Sequence, residues 1–199
     1  MKQSTDMEES YSRKEFWDGA GKAGLVLGLV PIVYMLIEQL LLQDAAQKLG
    51  TTPLAIVTFL LWAAKFVGCI LLMRWYMRSF AAAHENLTHR EASQYGTAIA
   101  LTSALIYSAF VLAWSKFIDP EMFSRAIETA TEQYSAFLDS NTMEMMEQMQ
   151  GKMPVIAFFS HFIWCFLYGS VLSSILSSRI GRDIDPFAGG KDPFTSDKQ

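Results

Sequence analysis

PLAIVTFLLWAAKFVGCILLM, residues Pro53–Met73, carries one charged side chain, Lys65, in a run long enough to cross a bilayer. A hydrocarbon core about 30 Å thick takes about 20 helical residues, each rising about 1.5 Å. Three further runs share this character: Ala20–Leu42, Tyr95–Phe117 and Pro154–Ser177. The reading is an all-α fold, an integral membrane four-helix bundle. Its hydrophobic content of 51% and charged content of 18% fit a surface that largely meets lipid. Residues 1–19 form a polar cytoplasmic segment without the basic leader of a cleavable signal peptide, so the first run stays as an anchor. Residues 20–177 form the membrane domain, with spans at 20–42, 53–73, 95–117 and 154–177, and residues 178–199 form a flexible cytoplasmic tail.

Cytoplasmic loops collect Lys and Arg. The N-terminal side holds Lys2, Arg13, Lys14 and Lys22, the second connection Arg74, Arg78 and Arg90, and the tail Arg179, Arg182, Lys191 and Lys198. The other two connections hold only Lys48, Lys116, Arg125 and Lys152. This bias places both ends in the cytoplasm. Residues 119–152 then form an extracytoplasmic helical hairpin between the third and fourth spans. Asp119-Pro120-Glu121 suits a helix start, and Phe123, Ile127, Ala130, Tyr134 and Phe137 follow at helical spacing. Asn141 with Glu144 resembles a second capping box.

Helices in lipid associate through small residues that let backbones approach. Gly24 and Gly28 mark such a face on the first run, Gly68 on the second, Ala100, Ala104 and Ser108 on the third, and Gly169 and Ser173 on the fourth. Pro31 is positioned to kink the first helix.

Lys65 is the costly residue. Twelve positions after Pro53 it lies about 18 Å below the outer end of its span, too deep to reach water along its side chain. The same arithmetic puts Tyr107 about 15 Å deep, Cys165 about 16 Å, Tyr34 about 12 Å, His161 about 10 Å and Glu38 about 6 Å. Lys65, Glu38, Tyr34, Tyr107 and His161 thus define a polar intramembrane site that would bind an anionic headgroup or relay a proton. The competing reading is a structural lysine bonded to carbonyls and hydroxyls. Cys69 and Cys165 are expected at different depths, which argues against a disulfide. A second candidate is the methionine group Met143, Met146, Met149 and Met153, whose thioethers suit Cu(I). Their spacing equally traces one packing face of a helix.

No phosphate loop, zinc spacing, nucleophile elbow or basic aromatic stripe is present, so neither a cofactor, nor catalysis, nor nucleic-acid binding is expected.

Phe16-Trp17 leading into Gly24–Gly28, Phe117-Ile118-Asp119-Pro120-Glu121 opening the hairpin, and Gly169–Arg182 followed by Asp185-Pro186-Phe187 carry a family resemblance. Over about residues 14–187 the chain resembles the bacterial membrane proteins, chiefly of Bacteroidetes, grouped as domain of unknown function 4199. The resemblance implies a small four-helix inner-membrane protein and no particular activity. The leading expectation is a non-enzymatic envelope accessory protein. It would bind another envelope protein, or a second copy of itself, through residues 119–152. A transporter or channel subunit built on Lys65 is the alternative, and copper handling by the methionines comes third.

Overall fold

The computed structural model describes residues 12–39, 51–84, 87–134 and 139–180, which contain no strand. Phe137, Lys48, Asp185-Pro186-Phe187 and the tail beyond residue 180 lie outside the described residues. In chain order the helices are α1 (Arg13–Ile37), α2 (Thr51–Ala83), α3 (His89–Ala113), α4 (Met122–Tyr134), α5 (Ser140–Met149) and α6 (Met153–Ser177). Four of them, α1, α2, α3 and α6, are long and apolar enough to cross a membrane.

The helices outrun the expected spans. α1 starts at Arg13, α3 at His89, and α2 continues past Met73 through Arg74 and Arg78 to Ala83. At 33 residues, α2 is about 50 Å long, well beyond a hydrocarbon core. α1 runs unbroken through Pro31.

Capping boxes define where α1 and α3 begin. The Ser12 hydroxyl accepts from the Glu15 amide at 3.1 Å, and the Glu15 carboxylate accepts from the Ser12 amide at 3.1 Å. Thr88 and Glu91 repeat the exchange at 3.2 and 2.8 Å. Each pair satisfies two amide donors that a helix start leaves without intrahelical partners.

The register follows from residue pairs. Phe16 near the start of α1 meets Phe80 near the end of α2, with ring centroids 6.2 Å apart, so these helices are antiparallel. A Cβ on Gly24 would lie 2.6 Å from Thr102 Cβ, and one on Gly28 3.1 Å from the Ser103 carbonyl oxygen, so α1 runs parallel to α3. A Cβ on Gly169 would lie 2.5 Å from Ala100 Cβ, while Ser173 Oγ donates to the Ser93 carbonyl at 2.8 Å, so α6 runs antiparallel to α3. The result is an up-down-up-down bundle. α3 is its centre, flanked by α1 and α6, and α2 touches the other three less extensively.

Two faces of α3 make this possible. Ala92, Gly96, Ala100, Ala104 and Ser108 are buried at intervals of four, and Gly96 and Ala100 of this row meet α6. A Cβ on Gly96 would run into Ser173 Oγ and come within 2.9 Å of Met77 Sδ, so only glycine fits without a shift. The Tyr95, Ile99 and Thr102 row meets α1 at Gly19 and Gly24.

Burial is concentrated at one end. Ala20, Ala23, Leu27, Met73, Met77, Phe80, Tyr95 and Ile99 belong to one core cluster, where α1 and α3 begin and α2 ends. The Phe80 and Tyr95 rings stack there at 3.9 Å. At the other end Ile56, Phe59, Leu60 and Trp62 of α2 and Phe159, Ile163 and Trp164 of α6 are exposed to whatever surrounds the bundle. Apolar side chains there are natural lipid contacts.

α4 begins directly after Asp119-Pro120-Glu121, as expected, and one expectation between α3 and α6 needs correction. The Asp119 carboxylate pairs with the Arg125 guanidinium, and Asp119 follows a π-helical turn, Trp114–Ile118, in which its amide donates to the Trp114 carbonyl at 2.9 Å. The cap at α5 is Asp139, whose Oδ1 accepts from the Thr142 amide at 2.9 Å, two residues before the expected Asn141. A helix starting at Ser140 puts Asn141 already inside the first turn, where its side chain cannot serve as the cap. A 3-10 turn, Gln150–Lys152, joins α5 to α6.

Candidate functional site

Lys65 sits midway along α2, with its Nζ 4.1 Å from the centroid of the Tyr34 ring on α1. The ammonium thus meets the negative face of an aromatic ring, a contact of about 0.5–2 kcal/mol depending on its solvation. Among the described residues Lys65 makes no salt bridge. Its charge is close enough to be felt at Cys69, one turn along α2, and at Cys165 of α6.

The other expected members approach from the remaining helices. Tyr107 of α3 and His161 of α6 meet edge to face, with centroids 5.4 Å apart and planes at 73°. Glu38 follows the last turn of α1 and is exposed, and its charge reaches Tyr34 and Tyr107. Tyr34, Lys65, Tyr107 and His161 are all half-buried. Each helix of the bundle therefore contributes a polar side chain to the level where core packing gives way to exposed α2. The arrangement holds one cation, phenols and an imidazole in apolar surroundings. It can offer a positive charge and hydrogen-bond donors to an anion, while Glu38 at the rim would oppose one.

Of the packing residues, Gly24, Gly28, Gly169 and Ser173 lie against a neighbouring helix as described above. A Cβ on Gly68 would meet nothing within 4 Å, so no helix approaches there. The expected small-residue face on α2 fails because that helix reaches the core through Met73, Met77 and Phe80, with Cys69, Leu72, Tyr76 and Ala81 packed beside them.

The methionines do not share one environment. Met145 and Met149 are exposed on α5, Met146 is half-buried, and Met153 is half-buried at the start of α6. The side chain of Met143 lies outside the described residues. Among the described residues no group of three His, Cys, Asp or Glu side chains could hold a metal ion.

Sequence reasoning left Cys69 out of the polar site and passed over Tyr168 and Gly96. Cys69 stands four residues from Lys65, hence on its face of α2, and that spacing was readable. Phe66 and Tyr168 rings lie 5.4 Å apart and tie α2 to α6 at this level.

The connection between α3 and α6 has its own character. No residue of α4 is buried, and Phe123, Ile127 and Ala130 are half-exposed along one face. Phe117, Ile118, Tyr134 and Met145 are exposed by 83%, 60%, 58% and 62%, so the segment leaves a large apolar surface uncovered.

No curated protein and no solved structure matches the chain. One family does, its model described as "Protein of unknown function (DUF4199)" and matching residues 22–180. With four membrane-capable helices, three of them wholly inside that match and α1 from residue 22 onward, the chain belongs to the DUF4199 family as a membrane protein of uncharacterised function.

Proposed function

We propose that the protein is a multi-pass protein of the bacterial inner membrane, with both ends in the cytoplasm, that works by interaction and not by catalysis. The α4–α5 hairpin is its extracytoplasmic contact surface, for another envelope protein or a second copy of the chain. The observation that carries this reading is the apolar face of α4, Phe123, Ile127 and Ala130, which the described bundle leaves half-exposed. The orientation has support from the bundle itself. Arg13, Lys14, Arg78, Arg90 and Arg179 all fall at the end where α1 and α3 start, as expected for a cytoplasmic end.

The test is photo-cross-linking in cells with a benzoylphenylalanine at Ile127, set against one at the exposed Glu128. The reading expects a discrete protein adduct from position 127 that is weak or absent from 128. Equal adducts from both positions, or adducts to lipid alone, would overturn it.

A second reading stays in play on one observation. Lys65 lies in the membrane domain with an aromatic face and no carboxylate as its described partner. Such a cation suits an anion-binding site in a transporter or channel subunit. Loss of the cellular phenotype in Lys65→Met, with folding intact, would raise that reading above the first.

A further inference from the structure

We propose that Arg74 and Arg78 of α2 hold the headgroup phosphate of an anionic phospholipid whose acyl chains lie along Val67 and Leu71. Ile56, Leu60, Val67, Leu71, Arg74 and Arg78 fall within an arc of about 60° on α2, at about 3.6 residues per turn. The four apolar side chains of this stripe are each more than half exposed, and both arginines are exposed. Lys65 lies on the nearly opposite face, against Tyr34 of α1, so the stripe is separate from the polar site. From Leu60 to Leu71 the stripe is about 16 Å long, close to half of a hydrocarbon core of about 30 Å. That is the depth of one leaflet. The arginines follow directly, one turn apart, where headgroups begin. Exposed Trp75 stands beside Arg74, as tryptophans do at a membrane interface.

Charge decides the occupant. α2 contains no acidic residue. Among the described residues neither arginine makes a salt bridge. The acids described at this end are used within their own helices: Glu15 and Glu91 close the capping boxes of α1 and α3, and Asp18 pairs with Lys22. Two guanidinium groups thus face outward at headgroup level without a protein anion. Their paired donors match phosphate oxygens in bidentate geometry. A second copy of the chain is the wrong partner for this stripe. A two-fold contact sets a patch against itself, and would press Arg74 and Arg78 onto their own copies. A zwitterionic lipid brings a cation along with its phosphate. An anionic lipid satisfies the arginines at one end of the stripe and the apolar row along the rest. The site does not depend on any role for the hairpin.

The test is native mass spectrometry of the full-length chain in mild detergent, titrated with dioleoylphosphatidylglycerol and, separately, with dioleoylphosphatidylcholine. Expected is a retained phosphatidylglycerol favoured over phosphatidylcholine by about tenfold or more, the scale for two arginines near an anionic surface. Arg74→Gln with Arg78→Gln should bring that preference close to parity. Arg13→Gln with Arg179→Gln, exposed at the same end but off the stripe, should keep it. Glycerol phosphate in large excess should not displace the lipid. Parity in the native chain, an equal loss in the control pair, displacement by glycerol phosphate, or lipid retained only by a dimer would each overturn the proposal.

Discussion

The two ends of the bundle differ in what holds them. At the end where α1 and α3 begin, capping boxes, a Phe16–Phe80–Tyr95 aromatic cluster and the Gly96 contact lock four helices together. At the Lys65 end α3 still meets α1 and α6, but α2 presents Ile56, Phe59, Leu60 and Trp62 outward. Close backbone approach and interhelical hydrogen bonds are the forces that act between helices in lipid. The first end has both, and the second has chiefly a cation on a ring and an imidazole on a phenol. Regions with fewer buried contacts open at lower free energy. The fold therefore places its costly polar side chains where the helices are least constrained.

A matched pair of glycine substitutions gives the largest contrast. Gly96→Leu forces a side chain into Ser173 and Met77, and should cost about 3 kcal/mol or prevent accumulation. Gly68→Leu enters open space and should shift the melting midpoint in detergent little or not at all. Equal losses would mean that the two ends are packed alike. Next in size, Ser173→Ala removes the hydrogen bond from α6 to the Ser93 carbonyl, for a loss of about 0.6 kcal/mol and at most about 1.7. Lys65→Met should leave the midpoint unchanged or raise it, because it removes a charge with no salt bridge among the described residues. A clear drop would show that Lys65 holds the open end together.

The smallest effect lies at the start of α5. The Thr142 side chain and amide hold the Asp139 carboxyl below its ordinary value of 3.8. A lowered folded value means that the cap contributes fully above the ordinary value and is lost as pH falls through the folded one. Amide exchange in α5 should therefore quicken, relative to Asp139→Asn, only in that acidic window. Unchanged relative exchange across it would remove Asp139 as the cap.

The four apolar runs were legible because a stretch of about 20 residues nearly free of charge suits a bilayer crossing and little else. Small residues at Gly24, Gly28, Gly169 and Ser173 were legible through their spacing of four. Gly96 was missed because the ladder of α3 starts before the apolar run does, at Ala92, where polar neighbours hide it. The placement of α3 at the centre was not legible either. Four apolar helices look alike in composition, and only the paired small-residue faces of α3 single it out.

The most direct test of unequal ends is a pair of spin-label distance measurements on a cysteine-free background in lipid. One pair, at Ser79 and Ser178, spans α2 and the end of α6 at the packed end. The other, at Phe59 and Ser160, spans the same helices at the Lys65 end. All four positions are exposed. A narrow distance distribution for the first pair and a broad one for the second is the predicted result. Equally narrow distributions would contradict it.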